Sequence, residues 1–259
     1  MKSLKIASLN TWNCQGNLPK RFALMADGLK TLNPDVILLQ EVFNGLPNGF
    51  NVARELAKIF NMECAFLPAR KKKRVHAGRS VLCHSGLAVL CRGKILENTT
   101  VPLPQDSRDG ERVAQMVTID IDGLRGLVAN IHLSHLENED GLRKRQLAKL
   151  ISQIKYSSFD RHFCVLGGDM NLAKGHQILN DLKRKEGFVD ASDFFVSPND
   201  SSLNDTDGLG TSNGLIDHIF LRVPLDVSGI NARLEMDHED PVSGYFPSDH
   251  KALFTEIRF

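Results

Sequence analysis

Apolar residues along this chain recur at two spacings, and the alternation between them predicts a mixed α/β fold. Phe22, Met25, Leu29 and Leu32 fall on one helical face, and Asn33-Pro34 stops that segment. Val52, Leu56, Ile59 and Phe60 form a second stripe, and Leu147, Leu150, Ile151 and Ile154 a third; each reads as a face turned toward a core. Between them lie apolar runs of strand length, at 3–10, 35–42, 86–91, 113–121, 125–133, 162–168, 214–222 and 250–258. The run Val36–Leu39 is continuous rather than alternating, as in a strand buried on both faces. Asp120-Ile-Asp122-Gly123 supplies a hairpin turn between 113–121 and 125–133, which predicts that those neighbours are antiparallel.

Three stretches, 68–85, 197–214 and 226–248, read as loops. The first contains Arg70-Lys-Lys-Lys-Arg74, the only dense basic run in the chain. Adjacent like charges repel, so the run reads as a solvated, mobile loop, or alternatively as a patch for nucleic-acid phosphates or anionic lipid. No aromatic residue is interleaved there to stack on bases. No linker or low-complexity tract divides the chain, and its length suits one substantial core, so residues 1–259 are assigned to a single domain.

Composition narrows the partners. With 32 basic and 31 acidic side chains there is no global field for nucleic acid or anionic membranes, so any such contact must be local. Hydrophobic content of 42% and charged content of 24% are those of an ordinary globular protein. No run reaches the length of a transmembrane helix, and Met1-Lys-Ser-Leu-Lys leads into a strand pattern without the apolar core of a secretory signal. Cys14, Cys64, Cys83, Cys91 and Cys164 are odd in number and lack close pairs, which fits thiols in a reducing compartment. A cytoplasmic location is the default, with secretion left open, and a monomer is the default oligomeric state.

The candidate chemistry sits where apolar runs end. Phe163-Cys-Val-Leu-Gly-Gly-Asp169-Met-Asn171 closes a buried-looking strand with a carboxylate and an amide two positions apart, hence on one face. That pair could form a phosphate or metal site, or simply shape a turn. Other apolar segments end the same way: at Asn10, at Glu41 after Val36–Gln40, and at His132 after Leu127–Ile131. Asp217 lies inside the run Leu215–Phe220, and Ser248-Asp249-His250 precedes the last strand. His135 invites a zinc reading, but alternation along a strand would turn it away from His132, and no further Cys or His completes a tetrahedral set. His218 likewise is expected to face away from Asp217.

Taken in order, Ser8-Leu-Asn10-Thr-Trp12, Leu39-Gln-Glu41-Val, Arg112, Asn130-Ile-His132-Leu, Gly168-Asp169-Met-Asn171, Ile216-Asp217-His-Ile-Phe and Ser248-Asp249-His250 resemble the endonuclease/exonuclease/phosphatase superfamily. These deoxyribonuclease I-like phosphoesterases are metal-dependent. The resemblance runs from residue 3 to the C-terminus. It implies a four-layer α/β sandwich, two packed mixed sheets flanked by helices, with the active site at one end between the sheets. It also implies a Mg²⁺-dependent phosphoesterase, with Mn²⁺ as a substitute ion, hydrolysing a phosphoester by in-line attack of water.

By the same resemblance Glu41 is the main metal ligand, with Asn10 nearby and Asp249 a second ligand or a water-mediated one. This agrees with the preference of Mg²⁺ for one or two carboxylates and several waters. Asp169, helped by Asn171, becomes the base or the orienter of the attacking water; the alternative base is the His250–Asp217 pair. His132 donates to a phosphate oxygen or protonates the leaving group, and Arg112 either supports transition-state charge or braces the site. His132 stands where abasic-site endonucleases of the superfamily carry Tyr, and Gln40–Phe43 with Gly167–Asn171 look most like bacterial neutral sphingomyelinases. Tyr245-Phe246 is the one late aromatic pair comparable to a membrane-touching hairpin. A diester is the favoured substrate. Alternatives are a DNA or RNA nuclease contacting phosphates through Arg70–Arg74 or Arg143–Arg145, a headgroup hydrolase acting on peripheral membrane lipid, or a non-catalytic binding module.

Overall fold

The computed structural model describes residues 3–46, 49–156, 161–195, 201–206, 214–223 and 227–259. Its elements run in the order β1 (Ser3–Asn10), α1 (Leu18–Leu32), β2 (Val36–Gly45), α2 (Val52–Phe60), β3 (Glu63–His76), β4 (Arg79–Cys91), β5 (Lys94–Pro102), β6 (Val113–Ile121) and β7 (Leu124–His132). They continue with α3 (Asp140–Tyr156), β8 (Phe163–Asp169), α4 (Gln177–Glu186), β9 (Val189–Asp190), a 3₁₀ turn at Ala191–Phe194, β10 (Asp217–Arg222), β11 (Gly229–Glu235) and β12 (Ala252–Arg258). Two six-stranded mixed sheets result, in the orders β11-β12-β1-β2-β4-β3 and β5-β6-β7-β8-β10-β9. In each sheet one central pair is parallel, β1 with β2 and β7 with β8. A helix, α1 or α3, lies between the two strands of each pair in the chain.

Period-two burial builds the layers. Leu38 on β2 and Val165 on β8 point between the sheets, into a core shared with Ile6, Val89, Val117, Val128 and Ile219. Their neighbours Ile37 and Leu39 face α1 and α2 through Met25, Leu29, Val52 and Leu56. On the other side Cys164 and Leu166 face α3 and α4 through Leu147, Leu150, Ile154 and Leu179. Strands covered on both faces need no polar alternation, which is why β2 and β8 read as continuous apolar runs. The expected helix-sheet-sheet-helix sandwich is the observed fold.

Local signals set the ends. Asn17 caps α1 by accepting from Lys20 N, and Asn33, in the left-handed region at φ 47°, closes it ahead of Pro34. Asp122 and Gly123 both take positive φ between β6 and β7, as the sequence predicts for that hairpin. All five cysteines are free thiols, and burial pushes Cys64, Cys91 and Cys164 up to about 11. Among the described residues no helix is long and apolar enough to cross a membrane.

The loop reading of 68–85 is corrected: these residues form most of the β3–β4 hairpin, closed by Ala77 and Gly78 at positive φ. Arg70, Lys72 and Arg74 are half-buried on one face while Lys71 and Lys73 are exposed on the other. Both faces are cationic, so no hydrophobic alternation marks the strand. Residues 226–248, also read as loop, contain β11 at the sheet edge. The expected loop 197–214 lies mostly outside the described residues. Strand β5 and helix α4 carry few apolar positions and have no counterpart among the elements predicted from sequence.

Candidate active site

Six elements bring their polar ends to one edge of the sandwich. In the second sheet His132, Asp169 and Asp217 stand directly opposite one another on three adjacent strands, β7, β8 and β10. In the first sheet Asn10 ends β1 beside Gln40 of β2. The register of β2 against β4 shifts between Leu39 and Val42, and Glu41 in that bulge takes φ 51°. A bulge re-aims one side chain out of the strand's alternation, and Glu41 lines the cavity between the sheets. That cavity is about 310 Å³, and Asn10, His132, Asp169, Asn171 and His250 also line it.

Buried polar contacts fix the frame. Gln40 Nε2 donates to Asn130 Oδ1 at 2.8 Å, and Asn130 Nδ2 donates to the carbonyls of Leu39 and Ala88 at 2.9 and 3.0 Å, joining the two sheets under the site. Arg21, itself buried, donates to the carbonyls of Thr11, Asn13, Gln15 and Pro247 and so pins the segments flanking Asn10 and Asp249. Asn204 Nδ2 donates to the carbonyls of Ser248 and His250 at 3.0 and 3.3 Å. Ser248 Oγ donates to Asn10 O at 2.6 Å, tying the last predicted motif to the first.

Asp169 Oδ2 is the hub. Asn10 Nδ2 donates to it at 3.1 Å, His132 Nε2 lies at 3.4 Å and His250 Nε2 at 3.8 Å. Its other oxygen accepts from Asn171 N at 3.0 Å, with Asn171 at φ 48°. Behind it, His250 Nδ1 meets Asp217 Oδ2 at 2.8 Å, so the expected His–Asp contact is present. Burial first, then the charge of Asp217, pushes the Asp169 carboxyl up to about 7. His250 goes the other way from its burial: burial alone would lower it, but Asp217, by charge and hydrogen bond, with Asp169, raises it to about 10. His132 is held well below its usual value by burial and by the charges of Arg112 and His250. The site therefore combines a cationic imidazole, a neutral one and a carboxyl poised near neutrality.

The donor set near Glu41 suits a hard divalent cation. The Glu41 carboxylate makes no hydrogen bond or ion pair among the described residues. Asp249 is pushed up to about 6 by burial, and Glu41 adds to that rise. Two carboxylates that oppose each other's charge, with Asn10 lining the same cavity as Glu41, form an oxygen set of the kind Mg²⁺ takes. Asp169, Asp217 and His250 also place ligand atoms within 4.8 Å of one another. Asp169 Oδ2, His250 Nδ1 and Asp217 Oδ2 are engaged in the contacts given above, whereas Asp217 Oδ1 is buried without a partner.

The nine residues assigned to the site from the sequence lie at this edge, although Asp217 and Asp249 stand behind the cavity wall rather than on it. Arg112 is braced: its Nε and Nη2 donate to Asp109 at 2.9 and 2.7 Å, and Nη1 donates to His132 O at 3.3 Å. His135 is a correction. Strand β7 ends at His132, so alternation no longer applies, and His135 lines the same cavity, with Nδ1 accepting from Arg112 at 2.8 Å. His218 does face away, toward Asp190 at 3.2 Å and Leu172 O at 2.9 Å. Arg143 is turned inward onto Ser134 O, Leu136 O and Asp140, so it is not available to a nucleic acid. Tyr245 packs under Lys20 Nζ, 5.0 Å from its ring. Sequence reading missed Asp109 and the cavity-facing side of β3; the three-residue spacing of Asp109 and Arg112 was the one available clue to the former.

Comparison with known proteins agrees with this fold. The family model described as Endonuclease/Exonuclease/phosphatase family matches residues 11–250. No sequence among the curated proteins matches significantly. Among solved structures, an endonuclease/exonuclease/phosphatase family protein from Leptotrichia buccalis is 19% identical with a TM-score of 0.72, over 99% of this chain and 100% of that one. Truncated TDP2 from Caenorhabditis elegans is 18% identical with a TM-score of 0.71, over 99% and 98%. A mannosyl-6-phosphatase from Bacteroides thetaiotaomicron is 18% identical with a TM-score of 0.73, over 99% and 100%. Those likenesses establish a shared fold, and the family match over most of the sequence establishes kinship: the chain belongs to the endonuclease/exonuclease/phosphatase family, whose members are phosphoester hydrolases.

Proposed function

We propose that this protein is a Mg²⁺-dependent hydrolase that cleaves a phosphoester by in-line attack of water. The observation that carries this reading is the convergence on Asp169 Oδ2, at the end of β8, of an amide and two imidazoles from three other segments. Glu41, Asn10 and Asp249 would hold the ion, whose charge would offset that of the phosphate. The remaining work falls to side chains. Asp169 accepts the proton of the attacking water; a carboxyl near neutrality is well matched to that transfer. His250, kept cationic by Asp217, faces the phosphate as a fixed positive charge rather than as the base. His132 stays neutral and donates one N–H to a phosphate oxygen, while Asn171 supplies an amide nearby. As the P–O bond to water forms, the ester P–O bond breaks, and the departing oxygen takes its proton from solvent. Arg112, saturated by Asp109, holds the wall around His132.

Hydrolysis of bis-p-nitrophenyl phosphate, sphingomyelin and plasmid DNA by purified protein, with Mg²⁺, with Mn²⁺ and with EDTA, tests the reading. Metal-dependent cleavage of at least one, lost in Glu41→Ala with the circular dichroism spectrum unchanged, is the expected result. Full activity in EDTA, or in Glu41→Ala, would refute it.

A further inference from the structure

One wall of the cavity has no part in the chemistry above. Arg70, Lys72 and Arg74 all line it, at alternate positions of β3, where strand pairing to Ser85, Cys83 and Val81 of β4 fixes their direction. Arg70 is held by Asp109 at 3.3 Å. The side chains of Lys72 and Arg74 make no hydrogen bond or ion pair among the described residues, and Arg74 Nε is buried without a partner. Solvated lysines on a mobile loop would spread apart, but a strand cannot relax in that way. The crowding shows in Arg70 and Lys72, both lowered by burial and then by neighbouring cations although Glu41, and for Arg70 also Asp109, act the other way. Bringing an anion to this wall would relieve both the repulsion and the orphaned donor.

The residues assigned above to the cleaved phosphate come from β7, β8 and the segment before β12, so the anion on β3 is a second one. The cavity, about 310 Å³, is at the small end of ligand pockets. Among the described residues no Phe, Tyr or Trp lines it, so they offer no platform for stacked bases. We propose that Arg70, Lys72 and Arg74 form a subsite for a second phosphate, and that the substrate is a small molecule carrying a phosphate group in addition to the phosphoester that is hydrolysed. This rests on the cavity being a phosphoester site, as proposed above.

Calorimetric titration in EDTA, where no turnover is expected, compares fructose bisphosphate with fructose monophosphate. The bisphosphate should bind at least about tenfold more tightly, the gain of one charge-assisted phosphate contact. Lys72→Ala/Arg74→Ala should remove that preference, and Lys72→Gln alone should reduce it should the double variant fail to fold. Lys71→Ala/Lys73→Ala, on the outer face, should preserve it. Equal affinity for the two sugars in the parent protein would overturn the inference. So would a short single-stranded DNA bound more tightly than the bisphosphate and released by the Lys72 and Arg74 changes. Because binding is read without metal or catalysis, its failure leaves the hydrolytic assignment standing, and absence of hydrolysis leaves this titration interpretable.

Discussion

Removing Asp109 should unfasten the wall that carries Arg112 and Arg70. Asp109 is fully buried, and Arg112, which it holds with two hydrogen bonds of 2.7 and 2.9 Å, is only 5% exposed. Deleting one partner of a buried pair leaves an uncompensated charge and costs about 3–5 kcal/mol. Arg70 contributes less, because 22% of its side chain is open to water that screens the loss. Asp109→Ala should therefore lose about 3–5 kcal/mol in urea unfolding, or roughly 6–20 °C in Tm for a domain of this size. Asp109→Asn keeps an acceptor and should lose about 1.5–3 kcal/mol. In Asp109→Ala/Arg112→Ala no buried cation is orphaned beside His132, so the double change should cost less than the sum of the singles by at least about 1 kcal/mol. Burial alone would raise the Asp109 carboxyl, but the Arg112 contacts outweigh it and hold it below its usual value. Its stabilisation is thus present above the ordinary carboxylate range and lost as pH falls through the depressed folded value. The gap between parent and Asp109→Ala should narrow accordingly in acid. An Asp109→Ala protein within about 1 kcal/mol of the parent at neutral pH, or strictly additive costs in the double variant, would refute this reasoning.

Three further outcomes are expected. Gly168→Ala places a Cβ 2.0 Å from Ile131 O at φ +132°, so it should destabilise by about 3 kcal/mol or more or yield no folded protein; a parent-like melting curve would exclude the β7–β8 register drawn above. Asp169→Asn should lower turnover by about 10²–10⁴. Because the folded carboxyl sits at about 7, above its usual 3.8, the parent in EDTA loses stability as pH rises through that interval and the Asp169→Asn variant does not, which urea titrations at pH 5 and pH 8 would detect. The buried His218–Asp190 pair raises the imidazole, despite a burial that alone would lower it, and lowers the carboxyl. The stability advantage of the parent over His218→Phe should fade as pH rises past the ordinary histidine value through the raised one, and again as pH falls below the ordinary aspartate value; a pH-independent difference would count against the pair.

Much of the architecture and nearly all of the residues gathered at the candidate site could be read from sequence, because both leave local marks. Burial on two faces produces continuous apolar runs, and a strand that ends at a site must switch abruptly to polar residues, as at Asn10, His132 and Asp169. Helices α1, α2 and α3 declared themselves by apolar stripes, α1 also by the Asn33-Pro34 stop, whereas α4, with only Leu179 and Leu182 buried, did not. The Arg70–Arg74 part of β3 was invisible for a related reason: periodicity is detected by contrast between apolar and polar positions, and a stretch cationic on both faces has none. Tertiary structure alone decided that Arg70, Lys72 and Arg74 face the cavity, that the β2 bulge turns Glu41 into it, and that Asp109 joins Arg70 to Arg112. Local spacing determined which residues would sit at strand ends. Which charges meet, and therefore which are neutral, cationic or poised to accept a proton, depends on contacts between residues far apart in the chain and on the burial that strengthens them, and only the packed sheets create either.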